Sequence, residues 1–177
     1  MTEDLELIQR CLSGDRKAFE PLVDRYQKTV FNVALRMAND TEDAADITQN
    51  VFIKASEKLK TFNPKYKFFS WIYRIAINES LNFVEASKKN ERLSHELVSD
   101  GKSPEDVLQD GQLAETVEDG LMKLSDDSRI VIILRHFEDL SYDEIGHVLE
   151  LPVRTVKSRL FSARQSLKKI LSKRLER

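Results

Sequence analysis

The stretch SYDEIGHVLELPVRTVKSRLFSARQSLKK, residues 141–169, holds two helical patterns separated by a turn that contains proline. Ser141 and Glu144 form a capping box, in which each side chain satisfies a backbone N–H left free at a helix start. The helix they open is expected to end near Leu149, with Ile145 and Val148 or Leu149 facing inward and Gly146 allowing a second helix close. After the turn at Glu150-Leu151-Pro152, the residues Val153, Val156, Leu160, Ala163, Leu167 and Ile170 recur at steps of three and four. That stripe must be buried. Opposite it run Arg154, Lys157, Phe161, Arg164 and Lys168, flanked by Ser158, Arg159 and Ser162.

The pair of helices has the make-up of a helix-turn-helix. Cations near a helix C-terminus suit the helix dipole, which accounts for Lys168, Lys169, Lys173 and Arg174. Arg154, Lys157 and Arg159 instead sit in the first turns, where cations oppose the dipole, and Phe161 stands among them. A recognition helix in a DNA major groove uses such residues, reading bases near its start and gripping phosphates further along. An Arg or Lys paired with guanine gives about 1–3 kcal/mol of discrimination.

The rest of the chain is consistent with an all-α protein. Charged residues make up 33% of the sequence, with only five glycines and four prolines, and strand-like alternation is nearly absent. Charge is segregated: residues 1–92 carry fifteen Lys/Arg and fourteen Asp/Glu, residues 93–151 four and fifteen, and residues 152–177 nine and one. Parts with different partners follow from that division, since a basic end seeks phosphates that an acidic middle repels. The lone Cys11 fits a reducing cytoplasm, and the longest aliphatic run, IVIIL at 130–134, is too short to cross a bilayer. No stable membrane insertion is expected. His95, His136 and His147 are scattered, no glycine loop cradles phosphate, and no Ser/His/Asp arrangement stands out, so no metal, cofactor or catalytic group is expected.

Helix signals continue upstream. The first helix is expected from Thr2 to about Leu12, the second through DRKAFEPLVDRYQKTVFNVALRMAND, and the third after a cap at Thr41, with Ile47, Val51, Ala55 and Leu59 inward. Pro64 breaks the pattern at Asn63. Half of the fourteen aromatic residues lie between Lys60 and Arg92, in and just before a helix expected over about Ser70 to Lys88. On that helix Arg74, Asn78, Asn82, Glu85 and Lys89 form a narrow polar row between two apolar sides. One side holds Ile72, Ile75, Ala76 and Phe83, the other Tyr73, Ile77, Leu81 and Val84. The bulky rings Phe69, Trp71 and Phe83 are expected in a core. The row, with Lys65, Tyr66 and Lys67 in the preceding loop, suits unstacked bases, because an asparagine amide both donates to and accepts from a base edge. Residues from Asn90 to about Lys102 read as linker, Ser103-Pro104-Glu105-Asp106 as a new helix start, and about Asp126 to Phe137 as a further helix.

Four landmarks together resemble one family: GD.KAFE.L…Y…V…A.R at 14–36, DAADITQNVFIKA at 43–55, FFSWIYRIAIN at 68–78, and SYDEIGHVLELPVRTVKSRLFSAR at 141–164. They are similar to those of the extracytoplasmic-function (group IV) sigma factors of bacterial RNA polymerase. The resemblance implies two small helical domains joined by an acidic linker: region 2 at 1–92, the linker at 93–112, and region 4 at 113–177. It implies core polymerase as partner, through the β′ clamp helices and the β flap, with Asp43, Asp46, Gln49, Asn50 and Phe52 as clamp-binding residues. It implies single-stranded −10 DNA held by Lys65, Tyr66, Lys67, Ser70, Arg74, Asn78 and Asn82. It implies double-stranded −35 DNA read by Arg154, Thr155, Lys157, Ser158, Arg159, Phe161, Ser162 and Arg164. An anti-sigma factor is an expected regulator. The chain departs from the family pattern at Asn50, where an acid is usual, at Ile77, Glu85 and Ala86, where arginines are frequent, at Ser125 in place of proline, and at Arg154 in place of glycine. The competing reading of the same residues is a helix-turn-helix regulator that binds an operator without being a polymerase subunit.

Overall fold

The computed structural model describes residues 3–94 and 109–175, and every regular element among them is helical. Helix α1 spans Glu3–Leu12, α2 Glu20–Ala38, α3 Thr41–Lys58 and α4 Phe68–Ser94. Then come α5 over Gln109–Met122, α6 over Asp126–Ile132, α7 over Tyr142–Leu149 and α8 over Val153–Leu175. Helix α4 runs six residues past Lys88, into the start of the expected linker, and α5 is in place at Gln109; the helix start at Ser103 lies outside the described residues. No helix among the described residues is long and apolar enough to cross a membrane.

Helix α3 is capped one residue earlier than expected. Asp40, not Thr41, is the N-cap, and its carboxylate accepts from the backbone N–H groups of both Glu42 and Asp43. A carboxylate serves two orphan donors at once and also suits the dipole. Ahead of it Asn39 closes α2 in the left-handed conformation, φ 59°. Glu3 and Asp4 do more than suit the dipole of α1: Arg25 pairs with both, and the Tyr26 hydroxyl donates to Asp4 at 2.6 Å.

Helices α1 to α4 enclose a core of Leu22, Val30, Ala34, Ile47, Val51, Ala55, Phe68, Ile72 and Ala76. Phe62 meets Phe68 and Trp71 edge-on, with centroids 5.6 and 5.7 Å apart. At the other end α6 and α8 close a second core over Leu121, Leu124, Val131, Ile132, Leu160 and Ala163. Between the two lies a third, where Val33 and Met37 of α2 and Tyr73 and Ile77 of α4 pack on Ile130, Ile133, Leu134, Leu140, Ile145 and Val148. This explains a helix apolar on two sides of a polar row: α4 is the wall shared by two cores, Ile72 and Ala76 serving one and Tyr73 and Ile77 the other.

Arg129 is the polar centre of that shared region. It is 3% exposed and donates to the carbonyls of Met37 at 2.9 Å, Leu121 at 3.0 Å, Met122 at 3.0 Å and Leu124 at 3.3 Å. One guanidinium therefore ties the last turn of α2 to the end of α5, where carbonyls run short of backbone donors, although that of Leu121 also accepts from the Leu124 N–H at 3.0 Å. Further ties cross the same boundary: the Tyr73 hydroxyl to Glu138 at 2.6 Å, Lys88 to Asp126 at 2.7 Å, and Arg36 stacked 4.0 Å over the Phe137 ring.

Candidate functional sites

The helix-turn-helix forms as the sequence dictates. Ser141 and Glu144 make both bonds of the capping box, and Ser125 caps α6 by accepting from the Ser128 N–H. Glu150 adopts φ 54°, turning the chain sharply out of α7. A side chain at Gly146 would place its Cβ 2.9 Å from the Leu151 carbonyl oxygen, so α7 and the turn meet backbone to backbone. Val156, Leu160 and Ala163 are buried, which leaves Arg154, Lys157, Ser158, Phe161, Ser162 and Arg164 exposed on one side of α8, Thr155 being half-buried. Phe161 is 66% exposed, an arrangement water alone does not favour. Two of these cations already have partners. Arg159 pairs with Asp127 at 3.3 Å, and Arg164 Nε donates to His136 Nε2 at 3.1 Å. Burial, then the neighbouring Arg164 and Arg135, hold the His136 imidazole below its ordinary range, so it stays neutral and able to accept.

A second site opens at the start of α4. Thr61, Phe62, Asn63, Tyr66, Ser70, Trp71, Arg74 and His147 line a cavity of about 330 Å3. Its walls are aromatic and its rim carries amide, hydroxyl and guanidinium groups, the mixture that holds a flat heteroaromatic ring. Of the residues expected to meet unpaired DNA, Tyr66, Ser70 and Arg74 come together here. Lys65 and Lys67 lie exposed on the loop beside it. Asn78 lines the next cavity along α4, with Arg74, Asp127, Glu150 and Arg159, and Asn82 is exposed further on. Phe62, Asn63 and Trp71 are additions to the expected site residues. Asn63 before Pro64 is the signal that marks its turn, its side chain accepting from the Lys65 N–H at 3.0 Å.

Glu144 joins this region to the helix-turn-helix, 3.0 Å from Lys67. Its carboxyl is held below the ordinary value of 4.5, first by the Ser141 backbone N–H and then by Lys67. A depressed carboxyl stabilises the fold fully above its ordinary value and loses that contribution as pH falls through the lower, folded one. The gap in thermal stability between wild type and Glu144→Gln is therefore expected to close as pH is lowered from neutral to about 3. A gap that stays constant over that range would contradict the ionic role of Glu144.

The third site is a groove between α2 and α3, about 770 Å3, lined by Phe19, Val23, Lys28, Phe31, Gln49, Phe52 and Ile53 among others. Gln49 and Phe52 of the expected polymerase-binding set lie in it. Asp46 and Asn50 are exposed on α3, and Asp43 is half-buried near its start. Slight burial, then repulsion from Asp40 and Asp46, raises the Asp43 carboxyl above its ordinary range; a cationic partner would relieve that repulsion. Ile53, 48% exposed at the groove's edge, is outside the expected set, although it follows Gln49 by one helical turn.

Comparison with known proteins assigns these sites a context. Residues 22–90 match the model of Sigma-70 region 2 and residues 114–167 that of Sigma-70, region 4. The RNA polymerase sigma-H factor of Pseudomonas aeruginosa is 34% identical, covering 96% of this chain and 94% of its own. The ECF RNA polymerase sigma factor SigW of Bacillus subtilis is 34% identical over 93% and 94%. The ECF RNA polymerase sigma-E factor of Escherichia coli is 34% identical over 93% and 92%. Among solved structures, CnrH in complex with the cytosolic domain of CnrY superposes with a TM-score of 0.72 at 26% identity, covering 94% of this chain and 95% of CnrH. The sigma factor RpoE of Bartonella quintana, in complex with the anti-sigma factor NepR, shares the fold at a TM-score of 0.72 and 22% identity, over 88% and 98%.

Proposed function

This chain belongs to the extracytoplasmic-function sigma factors of the sigma-70 family, and on that premise we propose how its surfaces divide the work of promoter-directed transcription initiation. The α2–α3 groove, with Asp43, Asp46, Gln49, Asn50, Phe52 and Ile53, docks on the β′ clamp helices of core polymerase, carboxylates pairing with basic residues there while the apolar groove contributes area. The α5–α8 unit rests on the β flap and lays α8 into the major groove of the −35 element. The cavity before α4 receives a base from the −10 strand once it is unpaired, with Asn78 and Asn82 following the strand along the helix. The observation that carries this division is the row of exposed cations and Phe161 on the first turns of α8. Neither a helix dipole nor a core gives a reason for them. The factor works where the polymerase is, in the cytoplasm. A protein partner seated over the α2–α3 groove would keep it from polymerase, the role of an anti-sigma factor; the match to CnrH, solved with the cytosolic domain of a second protein, supports such control.

Run-off transcription with purified core polymerase on a library of genomic promoters tests the reading. Discrete transcripts are expected only when the chain is added. An unchanged transcript pattern without it, or tight binding of the chain alone to paired half-sites, would instead fit an operator-binding regulator. Within this scheme Asn82→Ala is expected to reduce promoter opening, read by permanganate reactivity of unpaired thymines, several-fold more than it reduces affinity for core enzyme. Equal loss of both would remove Asn82 from the −10 site.

A further inference from the structure

Three features of α7 meet the proposed −10 site. Glu144 lies 3.0 Å from Lys67, the His147 ring meets that of Tyr66 at 53° with centroids 4.9 Å apart, and Glu150 pairs with Arg74 at 2.8 Å. Arg74 also donates to the His147 backbone carbonyl. Glu144 and His147 lie one turn apart on α7 and Glu150 is its C-cap, and their contacts with Lys67, Tyr66 and Arg74 show that all three face α4 and its loop. In order they present a carboxylate, a flat heteroaromatic ring and a second carboxylate.

A single DNA strand presents phosphate, base and phosphate. The partners match in kind: each carboxylate meets a cation, and the ring meets an aromatic ring at the mouth of the cavity that His147 helps to line. We propose that α7 is a built-in mimic of single-stranded DNA, occupying the −10 site in the free chain until the two halves separate. This rests on the reading of α4 and its loop as the −10 site.

Two further observations fit a contact made to be exchanged. Arg74 Nε is buried without a hydrogen-bond partner, so the mimic satisfies the guanidinium only in part. Ile77 of α4 is 3% exposed and packs in the core between the halves, which brings α7 onto this face. Arg159 of the proposed −35 helix lines the cavity beside Arg74 and Asn78. The surfaces for two separated promoter elements therefore adjoin one another here, and using both on one promoter requires the halves to part. A strand that must displace α7 binds with an affinity reduced by the fraction of molecules in which the site is free.

The test uses the full chain and a fluorescein-labelled single-stranded DNA pool with a randomised eight-base centre, read by anisotropy. The variant Glu144→Gln/His147→Ala/Glu150→Gln is expected to bind the pool about tenfold or more tightly than wild type. The control Asp24→Asn/Glu57→Gln removes the same two charges from exposed positions elsewhere and is expected to change affinity little. A triple variant no tighter than wild type, or no tighter than the control, overturns the mimicry. A second measurement does not depend on altering α7. Cysteines replacing Lys88 and Asp126, in a Cys11→Ser background, are joined by a short bismaleimide to hold the halves together. The joined chain is expected to lose pool binding that the unjoined chain keeps; equal binding overturns the occlusion. Adding Arg74→Ala to the triple variant separates this inference from the reading beneath it. Loss of the gained affinity places the DNA on α4, whereas undiminished binding places it elsewhere and removes the −10 assignment itself. Should the triple variant still direct run-off transcription while its pool affinity equals that of wild type, the assignment stands and the mimic alone is lost.

Discussion

Replacing Arg129 with methionine is expected to destabilise the protein by about 4 kcal/mol, since several buried carbonyls lose a charged donor at once. Methionine fills much of the same volume but donates nothing, and the carbonyls of Met37, Met122 and Leu124 lose the donor that they share, while that of Leu121 keeps the Leu124 N–H. Each buried unsatisfied carbonyl costs about 1–3 kcal/mol, partly recovered by local relaxation. Arg129→Lys is expected to fall between the two, since a point-like ammonium cannot span carbonyls on two helices. Because one of the four belongs to α2, the loss should be felt at both ends of the molecule. Urea unfolding followed by the single Trp71, which reports the α1–α4 bundle, and by far-ultraviolet circular dichroism, which reports the whole chain, should shift together. A loss below about 1 kcal/mol, as for an ordinary surface change, would mean that Arg129 does not tie the two halves together.

The second large effect is expected on α8. Lys157→Ala/Arg159→Ala should weaken binding of the polymerase–sigma complex to promoter DNA by at least about tenfold, since each cation that reads guanine contributes about 1–3 kcal/mol. The slope of log affinity against log salt should flatten by up to about 0.9 for each phosphate that is no longer neutralised. The single changes should differ. Lys157 is exposed above the Tyr142 ring, its Nζ 5.5 Å from the centroid, whereas Arg159 must first leave Asp127. The Lys157 change is therefore expected to cost more than the Arg159 change. Affinity and salt slope both unchanged in the double variant would show that α8 is not the −35 reader.

Local features of this fold are legible in the sequence because they are set by near neighbours. The Ser141 capping box, the turn at Glu150, the buried stripe of α8 and its cationic opposite face all follow from residues within one or two helical turns. The cap of α3 reads one residue late because Asp40 and Thr41 are both good capping residues, and only the geometry of two N–H groups converging on one carboxylate decides between them. What pattern reading cannot supply is the partner of an apolar face. The Tyr73–Ile77 side of α4 announces that it is buried, but its cover comes from Ile133, Ile145 and Val148, far along the chain. Arg129 has nothing local to distinguish it from a solvated charge. His147, one of three scattered histidines in the sequence, gains its meaning only when the fold brings it against Tyr66. Trp71 is expected in the core and is half-buried there, yet one edge of it faces the cavity.

The crowding at Gly146 has an evolutionary side. Since α7 meets the following turn through main-chain atoms, with no space at Gly146 for even a methyl group, the pitch at which α8 is offered to a duplex does not depend on which side chains decorate it. If α8 reads the −35 element as proposed, Arg154, Lys157, Ser158 and Arg164 can be exchanged to retune the preferred sequence while the angle of presentation stays constant. A bacterium can rewire which genes such a factor serves through a few codons on one helix, and the rest of the reading head needs no redesign.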